Sequence, residues 1–454
     1  MPEPHTIAAI ATAHGPGGVG VVRMSGPAAI IIADQLFFAK NNSNLSQLRG
    51  YTMTYGTIHS LPSAGKRRLD EAICLVFRAP HSYTGEDVVE FQCHGGAQVL
   101  RQVLQAVLDA GARPAEPGEF TRRAYLNGRI DLAKAEAVMQ LVTAQSGQAA
   151  RAAASAMGGA LSRAIEEIRQ SLIPLVARIA AWVDYPEEEF DDPQQDQIAA
   201  VLAESAVRLS ELLRRSAADQ AVLFGLDTAI IGPPNAGKSS LMNLLAGYDR
   251  SIVTELPGTT RDTVTETVQL GNVTLRLVDT AGLRDTDHPI ERIGVARSKT
   301  ALANADLLFA VFDATQPPDL SLLAPCDPAR TIVIFNKIDL LPSTPPPLPD
   351  WKTVSMSARE GVGLEALTAA VESLYQTANF SPDEAILANR RQAQAAQIAL
   401  AALQEASFAL AEGYALDAVS VCMEDAIQAL YQLTGERASE HIVDEVFRNF
   451  CVGK

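Results

Sequence analysis

The chain is poor in cysteine and histidine clusters and has no long hydrophobic run. Its 454 residues include five cysteines without a CxxC pair, which disfavours a disulfide-stapled secreted domain and favours thiols in a reducing compartment. The seven histidines form no HxxxH or Cys/His pattern, so no zinc or iron site is predicted. No apolar stretch approaches the ~20 residues of a membrane span, and no signal peptide is visible. We therefore expect a cytoplasmic protein that makes no use of a membrane.

Basic charge is also scarce. Lys and Arg number 37 against 53 Asp and Glu, which gives a net charge of -16. A surface of this sign does not attract a polyanion as a whole, so any contact with RNA must be local or shared with a partner. The arginine pairs at 122–123, 214–215 and 390–391 are the candidate local patches.

Apolar sequence, by contrast, is sufficient for large cores. Hydrophobic residues make up 47% and charged residues 20%, as in a soluble globular protein, and 454 residues are too many for one ordinary core. Short β-rich runs predict a small α+β domain in residues 1–123. Helical periodicity follows in residues 124–220, interrupted at Pro174 and by the acidic stretch 184–189, where we expect a kink and a helix-to-helix connection.

Strands alternate with helices in residues 221–378, which predicts an α/β doubly wound sheet. The helical texture then resumes in residues 379–454. We therefore predict a multidomain α+β and α/β protein in which a Ras-like P-loop domain is inserted into a split all-helical domain.

Residues 232–239 (GPPNAGKS) fit the pattern GxxxxGK[ST] between a predicted strand and a predicted helix, which is the setting of a phosphate-binding P-loop. Backbone N–H groups there can hold anionic oxygens, and Lys238 neutralises the β and γ phosphates. The Ser239 hydroxyl can bind Mg²⁺. A glycine-rich turn without a ligand is the alternative, which this setting disfavours.

Three further motifs follow in the order expected of a GTPase. Residues 279–282 (DTAG) end a core strand, where a carboxylate reaches the magnesium shell and a glycine amide meets the γ-phosphate. In residues 336–339 (NKID), Asp339 can accept two hydrogen bonds from the guanine edge that adenine does not supply. Residues 357–359 (SAR) are expected to close over the base, with the Ala358 amide donating to the guanine carbonyl. The predicted ligand is GTP.

The predicted nucleotide-binding residues come from these motifs and from the loop at 254–260. They are Asn235, Ala236, Gly237, Lys238, Ser239, Ser240, Thr254, Glu255, Leu256, Pro257, Gly258, Thr259, Thr260, Asp279, Thr280, Ala281, Gly282, Asn336, Lys337, Asp339, Ser357, Ala358 and Arg359.

The segment after DTAG departs from Ras-like enzymes. There a glutamine orients the attacking water, whereas Leu283 occupies that place and cannot form a hydrogen bond. Glu291, in the following segment, is the candidate catalytic residue and could act through an intervening water. A surface glutamate without a catalytic role remains the alternative.

No arginine finger is evident in the sequence. Oxygen atoms from Asn235, Thr254, Leu256 and Thr259 could form a ring that suits a hard monovalent cation. We therefore expect K⁺ in the place of the finger. Thr260 would join Ser239 on Mg²⁺.

Taken together, these features resemble the MnmE (TrmE) family of tRNA-modification GTPases. The similar segments are the loop 258–261 (GTTR), Leu283, residues 15–26, residues 83–87 (YTGED), residues 117–121 (PGEFT) and the ending 450–454 (FCVGK). The resemblance covers the full length. It implies an N-terminal tetrahydrofolate-binding domain that mediates homodimerisation, a split helical domain, and a G domain whose K⁺-dependent pairing with its mate triggers hydrolysis.

The resemblance also implies a joint reaction with the flavoprotein MnmG (GidA), as a heterotetramer that holds tRNA mainly through the partner. The reaction adds an aminomethyl or carboxymethylaminomethyl group to C5 of the wobble uridine. A 5-formyl- or 5,10-methylene-tetrahydrofolate carries the one-carbon unit, and the partner carries FAD.

The family's folate contacts fall on Arg23, Glu90, Arg129 and Lys454, with Arg129 standing where a lysine is frequent. A carboxylate such as Glu90 can bind a pterin edge in two-pronged fashion, and the cations can neutralise the glutamate tail of a folate. Each of these residues, taken alone, could equally form a surface ion pair. Cys451 matches the family's cysteine near the terminus and is a candidate catalytic residue, with an inert thiol as the alternative.

Two other functions compete with this interpretation. One is a regulatory GTPase switch in ribosome assembly that modifies nothing. Against it stands the lack of a KH-like GxxG module after the G domain. The other is a folate enzyme with a vestigial nucleotide domain, which the intact Lys238, Ser239, Asp279 and Asp339 disfavour.

Overall fold

A computed structural model describes most of the chain. The described residues are 5–13, 15, 17–62, 65–184, 194–248, 265–278, 305–448, 450 and 452–453. The chain divides into two compact units. Met1–Met139 and Thr434–Lys454 form the first, called the N-terminal unit below, and Gln140–Leu433 forms the second, called the central unit. The N-terminal unit thus combines residues from both ends of the sequence.

Strands and helices are numbered along the chain. The described strands are β1 (Ile7–Ile10), β2 (Val19–Ser25), β3 (Phe37–Ala39), β4 (Thr52–His59), β5 (Arg68–Phe77), β6 (Val88–His94), β7 (Arg113–Pro114), β8 (Leu226–Ile231), β9 (Thr265–Leu270), β10 (Val273–Val278), β11 (Leu307–Asp313), β12 (Thr331–Asn336) and β13 (Lys352–Ser355). The described helices are α1 (Ala29–Leu36), α2 (Ala97–Asp109), α3 (Glu119–Leu126), α4 (Leu132–Thr143), α5 (Gly147–Met157), α6 (Ala160–Asp184), α7 (Gln195–Phe224), α8 (Lys238–Tyr248), α9 (Leu364–Tyr375), α10 (Arg390–Ala411), α11 (Leu416–Thr434) and α12 (Glu440–Arg448).

The N-terminal unit is built on a seven-stranded sheet in the order β3-β4-β5-β6-β2-β1-β7. Neighbouring strands are antiparallel except β1 and β7, which are parallel. Alternation along β5 buries Ala72, Cys74 and Val76 on the face that α1 and α2 cover, because successive side chains of a strand point to opposite faces. The α+β character predicted for this region is confirmed.

The C-terminal segment packs on the helices of the same unit. Leu132 in α4 lies in one apolar cluster with Phe447 of α12 and with Phe450. Gly435 has a φ of 83°, and a Cβ atom there would lie 2.1 Å from the Cβ of Leu132, so only glycine allows this close approach. The Tyr125 hydroxyl donates a hydrogen bond of 2.5 Å to the Gly435 carbonyl. This segment is therefore an integral part of the N-terminal unit.

The central unit contains a six-stranded sheet in the order β13-β12-β11-β8-β10-β9. All neighbouring strands are parallel except the edge strand β9, which is antiparallel to β10. Strands β11 and β12 are buried almost throughout, as expected of parallel strands in the middle of an α/β sheet. Leu241 and Leu245 of α8 and Leu367 of α9 pack against one face of this sheet. The predicted α/β sheet is confirmed, and within the described residues α8 and α9 are the α-helices that accompany it.

Helices before and after this sheet pack together in the central unit. Helix α7 contacts α5, α6 and α10, although the sheet lies between α7 and α10 in sequence. Helix α6 continues through Pro174 without a break, and the kink expected at this residue stays a prediction. Leu172, Leu175 and Ile179 are buried on either side of it, and this packing offsets the hydrogen bond that proline removes. The acidic stretch after residue 184 lies outside the described residues.

The hairpin of β9 and β10 touches both points where the chain joins the sheet to its flanking helices. On the entering side, the Arg276 guanidinium donates to the Asp227 carboxylate at 2.6 Å. On the leaving side, the Asn272 side chain donates to the Thr377 carbonyl at 3.2 Å, and the Asn272 amide donates to the Glu372 carboxylate at 3.2 Å. One hairpin thus forms hydrogen bonds at both connections between the sheet and the helices that flank it in sequence.

No helix in the described part of the chain combines the length and the apolar character needed to cross a membrane.

Candidate functional site

Residues 232–237 form a loop between β8 and α8, and Lys238 is the first residue of α8. The Lys238 ammonium donates to two loop carbonyls, at 2.9 Å to Gly232 and at 2.8 Å to Pro233. The lysine therefore lies across the loop that precedes it. The side chains of Asn235 and Ser239 are exposed at the same place, so their oxygen atoms are available to a ligand.

Left-handed backbone gives this loop its shape. Gly232 has a φ of 148° and Gly237 a φ of 97°. A Cβ atom would lie 2.1 Å from the Val311 carbonyl oxygen at the first position and 2.0 Å from the Asn336 side-chain nitrogen at the second. The glycines of the motif are thus required by the close approach of β11 and of Asn336.

Asn336 connects the loop to the predicted base-binding segment. Its side chain is buried, and its Nδ2 donates to the Ala236 carbonyl at 3.0 Å. Its Oδ1 accepts the Ala358 N–H at 2.9 Å. In this structure the Ala358 amide is therefore bonded to Asn336, and its predicted bond to a guanine carbonyl stays a prediction.

A cleft of about 220 Å³ opens between these segments. It is lined by Gly237, Ser240, Asn336, Lys337, Asp339, Leu340, Ser357 and Arg359. All of these except Leu340 were predicted from sequence. Asp339 is exposed, and no hydrogen bond from another described residue occupies its carboxylate. A ligand edge that offers two adjacent N–H groups would complement this carboxylate.

Asp313 was not predicted and lies beside the cleft at the end of β11. Its carboxylate bonds to the Lys337 ammonium at 2.6 Å. Burial tends to raise the pKa of Asp313, but the hydrogen bonds from Lys337 and Thr315 outweigh it and hold the pKa below its usual value. The sequence did contain a signal for this pair. Asp313 ends one predicted strand and Lys337 directly follows the next, and adjacent parallel strands would bring the two side chains together.

Several predicted residues lie outside the described residues. They are Thr254, Glu255, Leu256, Pro257, Gly258, Thr259 and Thr260, then Asp279, Thr280, Ala281 and Gly282, and also Leu283, Glu291, Cys451 and Lys454.

A second polar centre lies on the sheet of the N-terminal unit, where Arg23 of β2 is directly opposite Glu90 of β6. The Arg23 Nε donates to the Glu90 carboxylate at 2.7 Å, and both side chains are largely buried. The guanidinium carbon of Arg23 lies 5.9 Å from the ring centroid of Tyr83 and 5.6 Å from that of Phe120. Two of the four predicted folate contacts are thus adjacent, and the aromatic rings beside them had no predicted role.

Arg129, and Gly453 beside the fourth predicted contact, lie on neighbouring segments. Gly453, which precedes Lys454, has a φ of 96°, and a Cβ atom there would lie 2.4 Å from the Ile10 carbonyl oxygen. Its own carbonyl lies 3.5 Å from an Arg23 nitrogen. Arg129 is exposed, and its Cγ would lie 3.3 Å from a Cβ atom at Gly85 in the loop that carries Tyr83. Arg129 therefore borders this centre without a described bond to Arg23 or Glu90.

The PGEFT and YTGED segments are joined by an ion-pair network. Glu119 is buried, and its carboxylate accepts hydrogen bonds from Arg113 and Arg123 at distances of 2.5–3.3 Å. Burial tends to raise the pKa of Glu119, but the bonds from Arg113, the Glu116 amide and Arg123 hold the pKa below its usual value. Arg123 also bonds to Glu86 at 2.9 Å. These signature segments therefore hold the loops around Arg23 in place.

The arginine pairs proposed as RNA patches are partly used within the chain. Arg122 bonds to Asp444 and Arg123 to Glu86 and Glu119. Arg215 bonds to Glu384, and Arg391 donates to carbonyls at the end of α11. Arg214 and Arg390 are exposed, so the three pairs are only partly engaged within the chain, and their contact with RNA stays a prediction.

Comparison with known proteins agrees with these features. A model of the MnmE helical domain matches residues 132–451, and a model of the GTP-binding protein TrmE N-terminus matches residues 6–129. The tRNA modification GTPase MnmE of Symbiobacterium thermophilum is 44% identical over 99% of this chain and 99% of its own length. The protein of the same description from Moorella thermoacetica is 41% identical over the same shares of the two chains.

Among solved structures, the G domain of the T. maritima FeoB iron transporter is 25% identical over 33% of this chain and 98% of its own length, with a TM-score of 0.25. A score this low adds nothing to the fold described above. The two domain models and the full-length identities show that the chain belongs to the MnmE family of tRNA modification GTPases.

Proposed function

We propose that the chain is a K⁺-activated GTPase that acts, with the flavoprotein MnmG and a tetrahydrofolate derivative, in the modification of the wobble uridine of tRNA. The observation that carries the GTPase part is the exposed Asp339 carboxylate in a cleft that also contains the P-loop residue Gly237. The modification part is supported by membership of a family whose described relatives are tRNA modification GTPases.

Guanine recognition would depend on Asp339. Its carboxylate accepts two hydrogen bonds from the N1 and N2 groups of guanine, whereas adenine lacks this pair of donors. The bonds from Asn336 to Ala236 and from Ala358 to Asn336 hold the P-loop and the base segment at a fixed separation. A nucleotide can then contact both segments without first ordering them.

The exposed side-chain oxygens fit the proposed metal ions. Ser239 would hold Mg²⁺ together with Thr260, and Asn235 would hold K⁺ together with Thr254, Leu256 and Thr259. Hard cations of this kind take oxygen ligands, and Asn235 and Ser239 offer them at the P-loop. Bound there, the two ions would neutralise charge on the phosphates. Glu291 would position the attacking water, since Leu283 cannot.

The Arg23–Glu90 centre is the proposed folate site. Glu90 offers a carboxylate to a pterin edge, and Arg23 offers a cation near two aromatic rings. Lys454 would reach this centre because its neighbour Gly453 lies against β1 beside Arg23. Arg129 would contribute charge from the adjoining loop. The family resemblance supplies the rest of the reaction, namely homodimerisation, the FAD-bearing partner and the one-carbon transfer.

The packing of α7 against α10 supports a helical domain that is split by the nucleotide-binding sheet. Hydrogen bonds from one hairpin to both connections between the sheet and its flanking helices support the same arrangement. In this proposal the G domain is an insertion that is joined to the helical domain at two points of the chain. A nucleotide-dependent movement of the G domain would have to bend the chain at both points.

The deciding experiment is steady-state GTP hydrolysis by the purified protein in K⁺ and in Na⁺ at matched ionic strength. Association of G domains is followed in parallel with GDP and aluminium fluoride, by energy transfer between attached dyes. We expect GTP hydrolysis to be at least about tenfold faster in K⁺ than in Na⁺, because the cation replaces an arginine finger, which raises kcat by several orders of magnitude. We expect the G domains to associate in K⁺ alone.

The Glu291→Ala variant is the internal control of this experiment. It should bind GTP as the parent protein does and hydrolyse it far more slowly in K⁺. Equal rates of the parent protein in both salts, without association, would overturn the K⁺ part of the proposal and favour activation by a separate protein. A parallel loss of binding and turnover in Glu291→Ala would remove its assigned role.

A further inference from the structure

Lys337 is tied to the neighbouring strand before any nucleotide is bound. In the register of the sheet, Asp313 of β11 is paired with Asn336 of β12, and Lys337 follows directly. Lys337 has a φ of 68°, which turns the chain at the end of β12. Its ammonium reaches back to Asp313 Oδ2 at 2.6 Å, with side-chain exposures of 31% for the lysine and 13% for the aspartate. Because the pair is partly shielded from water, we expect it to contribute more to stability than a fully exposed ion pair does.

The second oxygen of Asp313 is also fixed. Oδ1 accepts the Thr315 amide at 2.9 Å and the Thr315 hydroxyl at 2.7 Å. Both carboxylate oxygens therefore have defined partners, so the orientation of Asp313 is set by β11 and the turn that follows it. Because the Lys337 ammonium bonds to this fixed carboxylate, the position of the lysine side chain is also restricted.

Lys337 lines the cleft that contains Asp339 and Gly237. A free lysine side chain loses rotamer entropy when it is ordered. In this protein Asp313 orders the lysine in advance, so a base that packs on its stem does not bear that cost.

We propose that Asp313 is a positioning residue for guanine-nucleotide binding, which holds the stem of Lys337 as a preformed wall of the base cleft. The inference rests on the proposed GTPase function and adds a residue to it. Because Asp313 acts on the base end of the cleft, GDP and GTP should feel its loss equally. An interaction of equal strength in the ground state and the transition state changes KM and leaves kcat unchanged.

The test uses the full-length Asp313→Ala and Asp313→Asn variants. Affinity for a fluorescent GDP analogue and its dissociation rate are measured, together with kcat and KM for GTP in K⁺. We expect Asp313→Ala to weaken GDP binding about tenfold and to raise KM by the same factor, with kcat within about twofold of the parent protein. Asp313→Asn keeps an acceptor for Thr315 but loses the charge, so it should weaken GDP binding less.

The chain supplies a matched control in Asp319. Its Oδ1 accepts the Ser321 amide at 3.1 Å and the Ser321 hydroxyl at 2.7 Å, which is the same turn that Asp313 makes with Thr315. Asp319 has no lysine partner among the described residues. Asp319→Ala should therefore leave GDP affinity unchanged, which separates a general effect of the turn from the effect on Lys337.

A double-mutant cycle with Lys337→Met completes the test. If Asp313 acts through the lysine, Asp313→Ala should have little further effect on GDP affinity once Lys337 is Met. Unchanged or tighter GDP binding by Asp313→Ala would overturn the inference, as would equal effects with and without Lys337. Failure of the parent protein itself to bind GDP would instead overturn the proposed GTPase function, and the inference with it.

Discussion

The two polar centres of this protein differ in what their carboxylates do before a ligand arrives. In the nucleotide cleft, Asp339 is exposed, and no described side chain or amide bonds to its carboxylate. On the N-terminal sheet, Glu90 is already bonded to Arg23 at 2.7 Å. The first centre offers an unused acceptor, whereas the second offers a completed ion pair.

This difference has an energetic consequence. A ligand that reaches Asp339 replaces only water with its own N–H groups, so it gains the net value of charge-assisted hydrogen bonds without competing with a described protein group. A ligand that reaches Glu90 must share that carboxylate with Arg23 or displace it. We therefore expect single changes in the cleft to have larger effects on binding than single changes at the Arg23–Glu90 pair.

The largest effect on binding is expected from Asp339→Asn. The change removes two charge-assisted bonds to guanine, so GTP affinity should fall about 100-fold, or about 2.7 kcal/mol. The new amide can donate to the carbonyl that xanthine carries in place of the guanine amino group, so XTP should compete better than before. Competition against a fluorescent nucleotide measures both affinities. Equal losses for GTP and XTP would contradict the assigned hydrogen bonds.

The next prediction concerns how the N-terminal centre is assembled. Gly118 and Gly128 have nearly equal φ values, 67° and 68°, but only a Cβ atom at Gly118 would meet another side chain, with Phe450 at 2.7 Å. Gly128→Ala should therefore cost only backbone strain of about 1 kcal/mol. Gly118→Ala should cost about 2 kcal/mol more, because Phe450 must move.

Pulse proteolysis in urea, with fragments of the N-terminal unit identified by mass, measures both variants. The protein's two tryptophans, Trp182 and Trp351, lie in the central unit, so their fluorescence reports that unit separately and should be unaffected. Equal costs of the two substitutions would show that the packing of Phe450 on Gly118 contributes nothing to stability.

The smallest effect is expected from Glu90→Gln. Affinity for 5-formyl-tetrahydrofolate should fall about tenfold, since the amide keeps one acceptor oxygen. The loss is limited because the ion pair with Arg23 already reduces the contribution of Glu90 to ligand binding. GTP hydrolysis should not change. Glu71→Gln, which alters the more exposed Arg68–Glu71 pair on β5, is the matched control. Tighter folate binding by Glu90→Gln would mean that Glu90 competes with the ligand for Arg23.

The cleft was more predictable from sequence than the N-terminal centre, and the reason is local. GPPNAGKS and NKID are contiguous segments, and parallel strands that end at one edge of a sheet bring them together. Asp313 escaped prediction because its role depends on the register of β11 with β12. The pairing of Arg23 with Glu90 likewise requires the register of β2 with β6, which composition and periodicity do not give.

Tertiary packing also bears on two local expectations. Pro174 was expected to mark a kink, and α6 continues through it with buried leucines on both sides. Arg122 and Arg123 were candidates for an RNA patch, and in this structure both pair with acidic residues. The ion-pair partners of these arginines depend on the fold, so composition alone does not give them.

The position of residues 434–453 in the N-terminal unit has a consequence for biosynthesis. The strands of that unit leave the ribosome early, but Phe447 and Phe450, which pack against Leu132, emerge only after the whole central unit has been made. Domains that fold during synthesis generally do so from the N-terminus onwards. The nucleotide-binding sheet can therefore fold before the N-terminal unit has its last helix. The order of synthesis would then determine the order in which the two centres are completed.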